Sequence, residues 1–308
     1  MFLDARFYQI AFLSLFLWLG VGARDWTLRP DVMAAAVFSC AIVQVALVFL
    51  VPPPKPAETD PRDRKALARE ILPQWKYALQ SLPSAAITSL SLCLLLRANH
   101  PLAMAFAGGM AIASKFWLRA PHRKHFFNPA NFGIVVALLL TGDVWVSPGQ
   151  WGTDWWAVLA FAGAGGMVLR RVGRWDTSAA FLGVYAALEI ARNFWLGWSW
   201  DVVAHHLTSG SLLLFALFML TDPRSIPNAR PARVVWAIAI ALLTFVLRYT
   251  VYLPAAMFWA LFILSPLTLW LDEVWPAERF QWGQKSPAAA ASPSLQQTDL
   301  PQPIAFDR

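Results

Sequence analysis

Charged residues are scarce in this chain of 308 residues. Asp, Glu, Lys and Arg make up only 14% of it, whereas ordinary soluble domains carry about 25%. Hydrophobic residues make up 58%, so there is too little charge to cover the surface of soluble domains. A soluble protein is therefore excluded, and one membrane domain is favoured over the two soluble domains that the length would allow.

Cysteines and familiar catalytic motifs are also rare. Cys40 and Cys93 are the only cysteines and lie inside apolar runs, which excludes a disulfide framework and a cysteine-based metal site. The sequence contains no Gly-x-x-x-x-Gly-Lys-Ser/Thr phosphate loop and no recognisable Ser/His/Asp or Cys/His arrangement. The net charge of +7 comes from short loops between apolar runs, so we expect no nucleic-acid binding.

Long apolar runs are what the sequence has in abundance. A helix needs about 20 apolar residues to cross a bilayer, with a range of about 17–25. Backbone groups in lipid must satisfy their own hydrogen bonds, so such segments should be helical. The sequence thus predicts an all-α polytopic membrane protein with about ten transmembrane helices, of which two, 82–97 and 205–221, are candidates for broken or re-entrant segments. The ten spans are 7–23, 33–52, 82–97, 101–118, 130–147, 152–169, 177–196, 205–221, 233–250 and 253–271.

The distribution of basic residues tests this layout independently. If the N-terminus is cytoplasmic and the spans alternate, 20 of the 25 Lys and Arg fall on the inner side, as the positive-inside rule requires. A missed or extra span would move every later loop to the other side. We therefore expect a multi-pass protein of the cell inner (cytoplasmic) membrane, surrounded by lipid, with both termini cytoplasmic.

The composition divides the chain into four parts. These are two N-terminal spans in residues 1–52, a charged cytoplasmic linker at 53–81, a membrane core at 82–275, and a disordered cytoplasmic tail at 276–308. Within the core, Ser81–Pro101 and Leu207–Pro223 resemble each other, five spans apart and in opposite orientation. An inverted five-plus-five repeat would give this pattern, and a coincidence of composition explains it equally well.

Polar groups at membrane depth are functional candidates because burying them there is costly. In Lys-His-Phe-Phe-Asn-Pro-Ala-Asn-Phe-Gly, Asn128 and Asn131 lie three apart at the start of a predicted helix, and Pro129 suits its first turn. Asn128 could simply be an N-cap. Alternatively, the two amides could contact the mixed donor and acceptor edge of a flavin or quinone ring.

A second polar group surrounds the eighth span. Thr208-Ser209-Gly210-Ser211 offers small residues for close approach of a helix or ligand. Asp222 follows at the cytoplasmic helix end, where the dipole disfavours a carboxylate. It should therefore have a partner, which could be a cation, Arg224 or a ligand N–H, and an interfacial salt bridge is the simpler alternative.

Other candidates have simpler explanations. The small residues of 107–109 and 163–166 favour tight helix crossings, with room for a flat cofactor as the alternative. Glu189 and Arg192 are three apart and are expected to pair. The five histidines are expected to be solvated near the membrane surfaces, so no metal site is expected. A bis-histidine haem site across two outer loops, drawn from His100, His205 and His206, is the alternative.

Two motifs resemble one protein family. Residues 124–133 (KHFFNPANFG) and 206–224 (HLTSGSLLLFALFMLTDPR) are similar to signature regions of the family that contains the D component of the Rnf electron-transport complex and the B component of the sodium-translocating NADH:quinone reductase. The segment 82–97 resembles the first conserved helix of that family. The similarity runs in order from about residue 80 to residue 272.

The resemblance implies a membrane flavin subunit with other redox-complex subunits as partners. It implies a non-covalent flavin, riboflavin or FMN, near Asn128 and Asn131, with Asp222 and Lys115 on the same side to tune its charge and Ser209 and Gly210 as further contacts. The family's covalent FMN attachment motif, Ser-Gly-Ala-Thr, is absent from the loop Thr141–Trp151, so covalent FMN is not expected.

Three functional hypotheses follow. The leading one is a redox subunit that holds the flavin between helices and moves electrons in or across the membrane. A channel or facilitative transporter for a small neutral solute is the alternative, because inverted repeats and small polar residues suit it too and the family's fold resembles that of urea channels. A membrane scaffold for redox partners, without a cofactor of its own, is the third.

Overall fold

The computed structural model describes residues 4–23, 28–51, 74–119, 124–146 and 155–280. These residues form twelve α-helices and two short strands. The helices are α1 Ala5–Ala23, α2 Pro30–Leu50, α3 Gln74–Leu95, α4 Pro101–Trp117, α5 Pro129–Leu140, α6 Trp155–Val172, α7 Trp175–Leu196, α8 Trp200–Leu207, α9 Gly210–Leu214, α10 Arg230–Tyr249, α11 Ala256–Leu264 and α12 Leu267–Val274, and the strands are β1 Leu96–Ala98 and β2 Val144–Val146.

Each of the ten predicted spans coincides with a helix or a bent helix pair, which confirms an all-α polytopic membrane protein. Four described helices, α1, α2, α3 and α10, are long and apolar enough to cross a membrane, and the number rises to six if each bent pair is one span. The other predicted spans do not meet this requirement of length and hydropathy, because their helices are too short or carry charged residues. For example, α4 has 17 residues and α5 has 12, while α7 contains Asp176, Glu189 and Arg192.

Two spans are bent. The eighth span breaks between α8 and α9 with an angle of 43°, and the tenth breaks between α11 and α12 with an angle of 50°. The break predicted for 205–221 is therefore present. The break considered for 82–97 is absent, because α3 continues without interruption through Pro83.

The two halves of the bundle pack in corresponding ways. In the first half, α1 packs on α3, α2 on α4, and α4 on α5. Five spans later, α6 packs on α9 and the π-helical turn that follows it, α7 on α10, and α10 on α11. These three pairs agree with a five-plus-five repeat, but α2 also packs closely on α3, whereas α7 contacts α8 and the π-helical turn far less. The repeat therefore stays a prediction.

The predicted segment boundaries are only partly covered by the structure. Residues 74–81, at the end of the predicted linker, form the first two turns of α3. The rest of the linker, from residue 53 to residue 73, lies outside the described residues, as does the predicted tail beyond residue 280.

Glycines bring the helices of the first half close together. A Cβ on Gly133 of α5 would lie 2.4 Å from the carbonyl oxygen of Ala107 on α4, and a Cβ on Gly108 would lie 2.3 Å from the hydroxyl of Ser39 on α2. Position 133 therefore requires glycine because its neighbour is backbone, whereas a Cβ at position 108 would force the Ser39 side chain to move. By contrast, a Cβ on Gly163 would meet nothing within 4 Å, so tight crossing explains some of the predicted small-residue runs and not others.

Candidate functional site

A cleft opens at one end of the bundle, where α1 and α5 begin and α4 and α6 end, and the middle of α3 forms one of its walls. The space between its walls, counted together with the open solvent at its mouth, is about 780 Å³. Lys115, Asn128 and Asp222 all line it, although Asp222 lies far from the other two in sequence. The structure therefore brings together three of the six residues predicted for the site.

Asn128 is the N-cap of α5, as the simpler hypothesis predicted. Its Oδ1 accepts a hydrogen bond from the backbone N–H of Asn131 at 3.1 Å, which satisfies one of the free donors of the first turn. Its Nδ2 donates to the carbonyl oxygen of Met219 at 3.1 Å. The amide group retains one further N–H and one further lone pair, and the residue lines the cleft.

Asn128 reaches the carbonyl oxygen of Met219 because the helix that continues α9 is irregular. Residues Phe215–Met219 form a π-helical turn, in which the N–H of Leu220 donates to the carbonyl of Phe215 at 2.8 Å. Such turns are uncommon and occur often at functional sites. Here the turn brings the carbonyl of Met219 to the start of α5, so it joins the two sequence motifs.

Asp222 lies just beyond the π-helical turn, with its side chain partly buried. Its Oδ1 accepts from the backbone N–H of Arg224 at 3.2 Å, and its Oδ2 lies 3.8 Å from Nε2 of His125. The predicted need for a partner at a helix C-terminus is thus met by a backbone donor and a histidine ring.

The environment sets the charges of this pair. Burial alone would raise the pKa of Asp222, but His125 and the N–H and positive charge of Arg224 together hold its pKa below the ordinary value. Burial lowers the pKa of His125, and the nearby carboxylate only partly opposes that effect. At neutral pH the cleft therefore presents an ionised Asp222 beside a neutral His125.

Lys115 is a half-buried cation of the cleft. Its Nζ donates to the carbonyl and hydroxyl oxygens of Ser84 at 3.3 and 3.1 Å and to the hydroxyl of Thr88 at 3.1 Å. No carboxylate in the described part of the chain lies within 4 Å of this ammonium group. A cation without a counter-ion at this depth favours an anionic or electron-rich ligand.

The remaining walls combine hydroxyl groups with apolar surface. Ser84, Thr88 and Ser91 follow the i, i+4, i+7 spacing along one face of α3. Apolar side chains complete the lining, chiefly Ile87 and Phe218. This combination of a few polar groups with apolar walls is typical of small-molecule sites.

The other three predicted site residues do not line the cleft. Asn131 is fully buried, and both polar atoms of its side chain lack a partner among the described residues. Ser209 and Gly210 lie at the start of α9, where the Ser209 hydroxyl is 3.0 Å from that of Ser211. The cleft thus includes Asn128 but not the second asparagine of its motif.

His125 is a cleft residue that the sequence prediction missed. It was expected to be solvated, but only 8% of it is exposed, and it lies beside Asp222. The sequence feature that could have identified it is its position within the motif of residues 124–133. Ser84 and Thr88 were missed as well, because their contact with Lys115 joins helices that are far apart in sequence.

Two ion pairs join segments at this end of the bundle. Asp176 and Arg233 are both about 95% buried, and Nη2 of Arg233 donates to Oδ2 of Asp176 at 2.7 Å. Lys124 forms a salt bridge with Asp272 and also donates to the carbonyl of Ile226 at 2.7 Å. The residue that precedes His125 is therefore anchored to α12.

The chain is similar to known proteins both at the level of a family and at the level of individual relatives. The model of the NQR2, RnfD, RnfE family matches residues 138–281. The D subunit of the ion-translocating oxidoreductase complex of Stutzerimonas stutzeri is 42% identical over 69 residues, which cover 22% of this chain and 20% of that protein.

Two further relatives carry the same description. The D subunit of the ion-translocating oxidoreductase complex of Actinobacillus pleuropneumoniae serotype 5b is 31% identical over 104 residues, 33% of this chain and 30% of that protein. The corresponding protein of Halorhodospira halophila is 28% identical over 116 residues, 38% of this chain and 32% of that protein. The matched segments span between a fifth and a third of the length of these curated relatives.

The family match and the predicted motifs overlap in part. The Thr-Asp-Pro motif at 221–223 lies inside the matched range, whereas the Asn-Pro motif at 128–129 lies before it. The matches confirm the predicted resemblance: this chain is a polytopic membrane protein similar to the NQR2, RnfD, RnfE family.

Proposed function

We propose that this chain is the membrane subunit of an ion-translocating electron-transport assembly and that its cleft binds a non-covalent flavin. The observation that carries the proposal is the meeting of Lys115, Asn128 and Asp222 around one cleft. The relatives are named as D subunits of ion-translocating oxidoreductase complexes, and these names supply the kind of assembly.

The donor and acceptor groups of the cleft fit the polar edge of a flavin. That edge alternates carbonyl oxygens and ring nitrogens with one N–H, so it needs both donors and acceptors. Asn128 and Lys115 offer donors, and the ionised Asp222 offers only acceptors. The apolar side chains of Ile87 and Phe218 offer surface for the flat faces of the ring.

Each polar residue would have a separate task. Asp222 would accept the ring N–H and orient the ring. Lys115 would place a positive charge near the electron-rich end of the ring, and this charge favours the reduced, more negative form. Asn128 would contact the edge while still capping α5. The flavin, when bound, supplies the one- and two-electron chemistry that these side chains lack.

The sequence favours a reversible complex over a covalent one. The loop Thr141–Trp151 lacks the Ser-Gly-Ala-Thr motif. In its described part, the hydroxyl of Thr141 donates to the carbonyl of Ala137 at 2.7 Å and caps the end of α5. We therefore propose that the flavin is released when the protein unfolds.

The same proposal covers location and partners. The 20-to-5 distribution of basic residues supports a place in the inner membrane with the cleft facing the cytoplasm. Electron donors and acceptors would then be other subunits of the assembly, reached from the open mouth of the cleft.

Measurement of flavin in the purified protein tests the proposal. The full chain is purified in detergent, its visible absorption spectrum is recorded, and flavin released on denaturation is quantified. We expect a flavin band, and we expect Asp222→Asn to weaken flavin binding about tenfold to a hundredfold, because a hydrogen bond to a charged group is lost. Asp201→Asn is the matched control, since Asp201 is an exposed acid on α8.

The alternative, a facilitative transporter for a small neutral solute, has one observation in its favour. The hydroxyl groups along α3 lead from the cleft through Ser91 to a small apolar cavity, which is lined by Leu13, Leu94 and Leu214. A colourless protein that releases no flavin, combined with solute flux in proteoliposomes, would favour this alternative. A colourless protein without flux that captures redox subunits would favour the scaffold.

A further inference from the structure

A second polar cluster lies at the opposite end of the bundle from the cleft. It consists of Glu189 on α7, His206 on α8 and Tyr249 on α10, and is named here the far-end cluster. Glu189 is thirteen residues beyond Asp176 on α7, which corresponds to about 20 Å along the helix axis. The cluster is therefore separate from the proposed flavin site.

The three side chains form a closed triangle of hydrogen bonds. The hydroxyl of Tyr249 donates to the carboxylate of Glu189, with both oxygens at 2.7 Å. Nδ1 of His206 lies 3.0 Å from Oε2 of Glu189 and 3.2 Å from the hydroxyl oxygen of Tyr249. Glu189 is 97% buried, whereas the His206 side chain is 19% exposed.

Two arginines lie close to this triangle without pairing with its carboxylate. The guanidinium of Arg192 lies over the ring of Tyr249 at 3.9 Å and over that of Trp198 at 4.7 Å. Arg248 donates to the hydroxyl of Tyr185 at 3.0 Å. The predicted pair of Glu189 and Arg192 is thus wrong, because Arg192 stacks on aromatic rings instead.

The two buried carboxylates of α7, Asp176 and Glu189, have different kinds of partner. At the other end of the same two helices, a buried carboxylate, Asp176, is paired directly with Arg233, an ion that never loses its proton. At the far end, the arginines contact aromatic side chains, and the carboxylate contacts a histidine and a tyrosine. Of these two partners, histidine exchanges protons near neutral pH.

We propose that the far-end cluster is a proton-binding site that takes up its proton at His206. In the unprotonated site, the Nδ1–H of a neutral His206 donates to Glu189 and Nε2 is an acceptor. A proton from water then forms an N–H bond at Nε2, which leaves an imidazolium paired with the buried carboxylate. Arg192 and Arg248 oppose this gain of positive charge, so the proton is held reversibly.

Proton binding would also affect helix packing. His206 lies on α8, the first half of the bent eighth span, while its partners lie on α7 and α10. A charged His206 would hold α8 more tightly against these two helices. Protonation at this end would therefore favour one position of the bent span.

Titration of the histidine rings by NMR tests the proposal on the full chain in detergent, without added flavin. The protein contains five histidines, and ¹⁵N-ring labelling with His206→Gln identifies the signal of interest. We expect the ring signal that His206→Gln removes to respond to pH in the unsubstituted protein. Glu189→Gln should lower its midpoint by about one pH unit, a tenfold loss of proton affinity.

Two further variants separate proton binding from a purely structural role. Tyr249→Phe removes a donor to the carboxylate, so His206 should bind its proton more tightly and its midpoint should rise. Asp201→Asn removes an exposed acid from the same helix and should leave the midpoint unchanged.

A structural contact alone would not shift the midpoint in opposite directions in the two variants. If the ring signal of His206 does not respond to pH, or if neither Glu189→Gln nor Tyr249→Phe moves its midpoint while both proteins keep their helical circular dichroism, the proposal is overturned. If one variant fails to fold, the other still decides the question by the sign of its shift.

Discussion

The charges at the cleft end of the bundle fall into two groups with different partners. Asp176 is paired with Arg233, and Lys124 with Asp272, so these four charges connect helices. Lys115 contacts only hydroxyl and carbonyl oxygens, and Asp222 contacts a backbone N–H and a neutral histidine. The second group faces the cleft, as the proposed flavin site requires.

The largest effect is expected from breaking a paired charge. Asp176→Ala leaves Arg233 buried without a counter-ion, so the free energy of unfolding should fall by about 3–5 kcal/mol. Thermal unfolding in detergent measures the change. Arg230→Ala is the matched control, because Arg230 is 3.8 Å from the same carboxylate but 67% exposed, and its loss should cost less than about 1 kcal/mol. Equal effects for the two variants would contradict the comparison.

The next largest effect on stability is expected where α5, the helix that begins after Asn128, packs against α4. Gly133→Ala forces a Cβ against the carbonyl of Ala107, so we expect a loss of about 1–3 kcal/mol. Gly163→Ala on α6 has open space around it and should be neutral or slightly stabilising. Unfolding curves for both variants check the result, and a stable Gly133→Ala protein would show that α4 and α5 separate easily.

A smaller loss of stability is expected when the pH is lowered. The pKa values of His125 and Asp222 are both lowered in the folded protein, so below the ordinary values the unfolded chain binds more protons. Stability should be full above pH 6.5, the ordinary pKa of His125, and should decline as the pH falls below it. Asp222 adds a further loss below pH 3.8.

Substitution of His125 isolates its share of this pH dependence. His125→Gln should reduce the fall in melting temperature between about pH 7 and pH 5, whereas His100→Gln, at an exposed position, should leave it unchanged. An unaltered pH profile in His125→Gln would show that other groups cause the decline.

The smallest effect on stability is expected at Lys115. Lys115→Met removes a half-buried cation that has no counter-ion within 4 Å in the described part of the chain, so the free energy of unfolding should change by less than about 1 kcal/mol. Flavin binding should weaken about tenfold or more. The matched variant Lys124→Met leaves Asp272 unpaired and should cost about 1–3 kcal/mol. If Lys115→Met destabilises the fold as much as Lys124→Met does, Lys115 is a structural residue.

Much of the fold could be predicted because it depends on local properties of the chain. The apolar runs are long enough to cross a bilayer, and basic loops separate them. These two features together predicted where the helices lie. The N-cap at Asn128 followed as well, since Asn before Pro at a helix start has few alternatives.

The site was only partly predictable because it depends on contacts between distant segments. Asn128 and Asn131 looked equivalent in sequence, yet Asn128 reaches the cleft and Asn131 points into the interior. The pairing of Glu189 with His206 instead of Arg192 also joins separate helices. Spacing along one helix does not contain this information, because it does not fix how helices rotate against one another.

The π-helical turn Phe215–Met219 makes the protein sensitive to the length of its chain at this point. A π-helical turn spaces its hydrogen bonds one residue further apart than an α-helix does, so it accommodates one extra residue without turning the segment that follows. Loss of one residue there would restore ordinary α spacing and redirect the carbonyl of Met219 away from Asn128. A single-codon deletion in this segment would therefore break the hydrogen bond that joins the Asn-Pro motif to the Thr-Asp-Pro motif while leaving every residue of both unchanged.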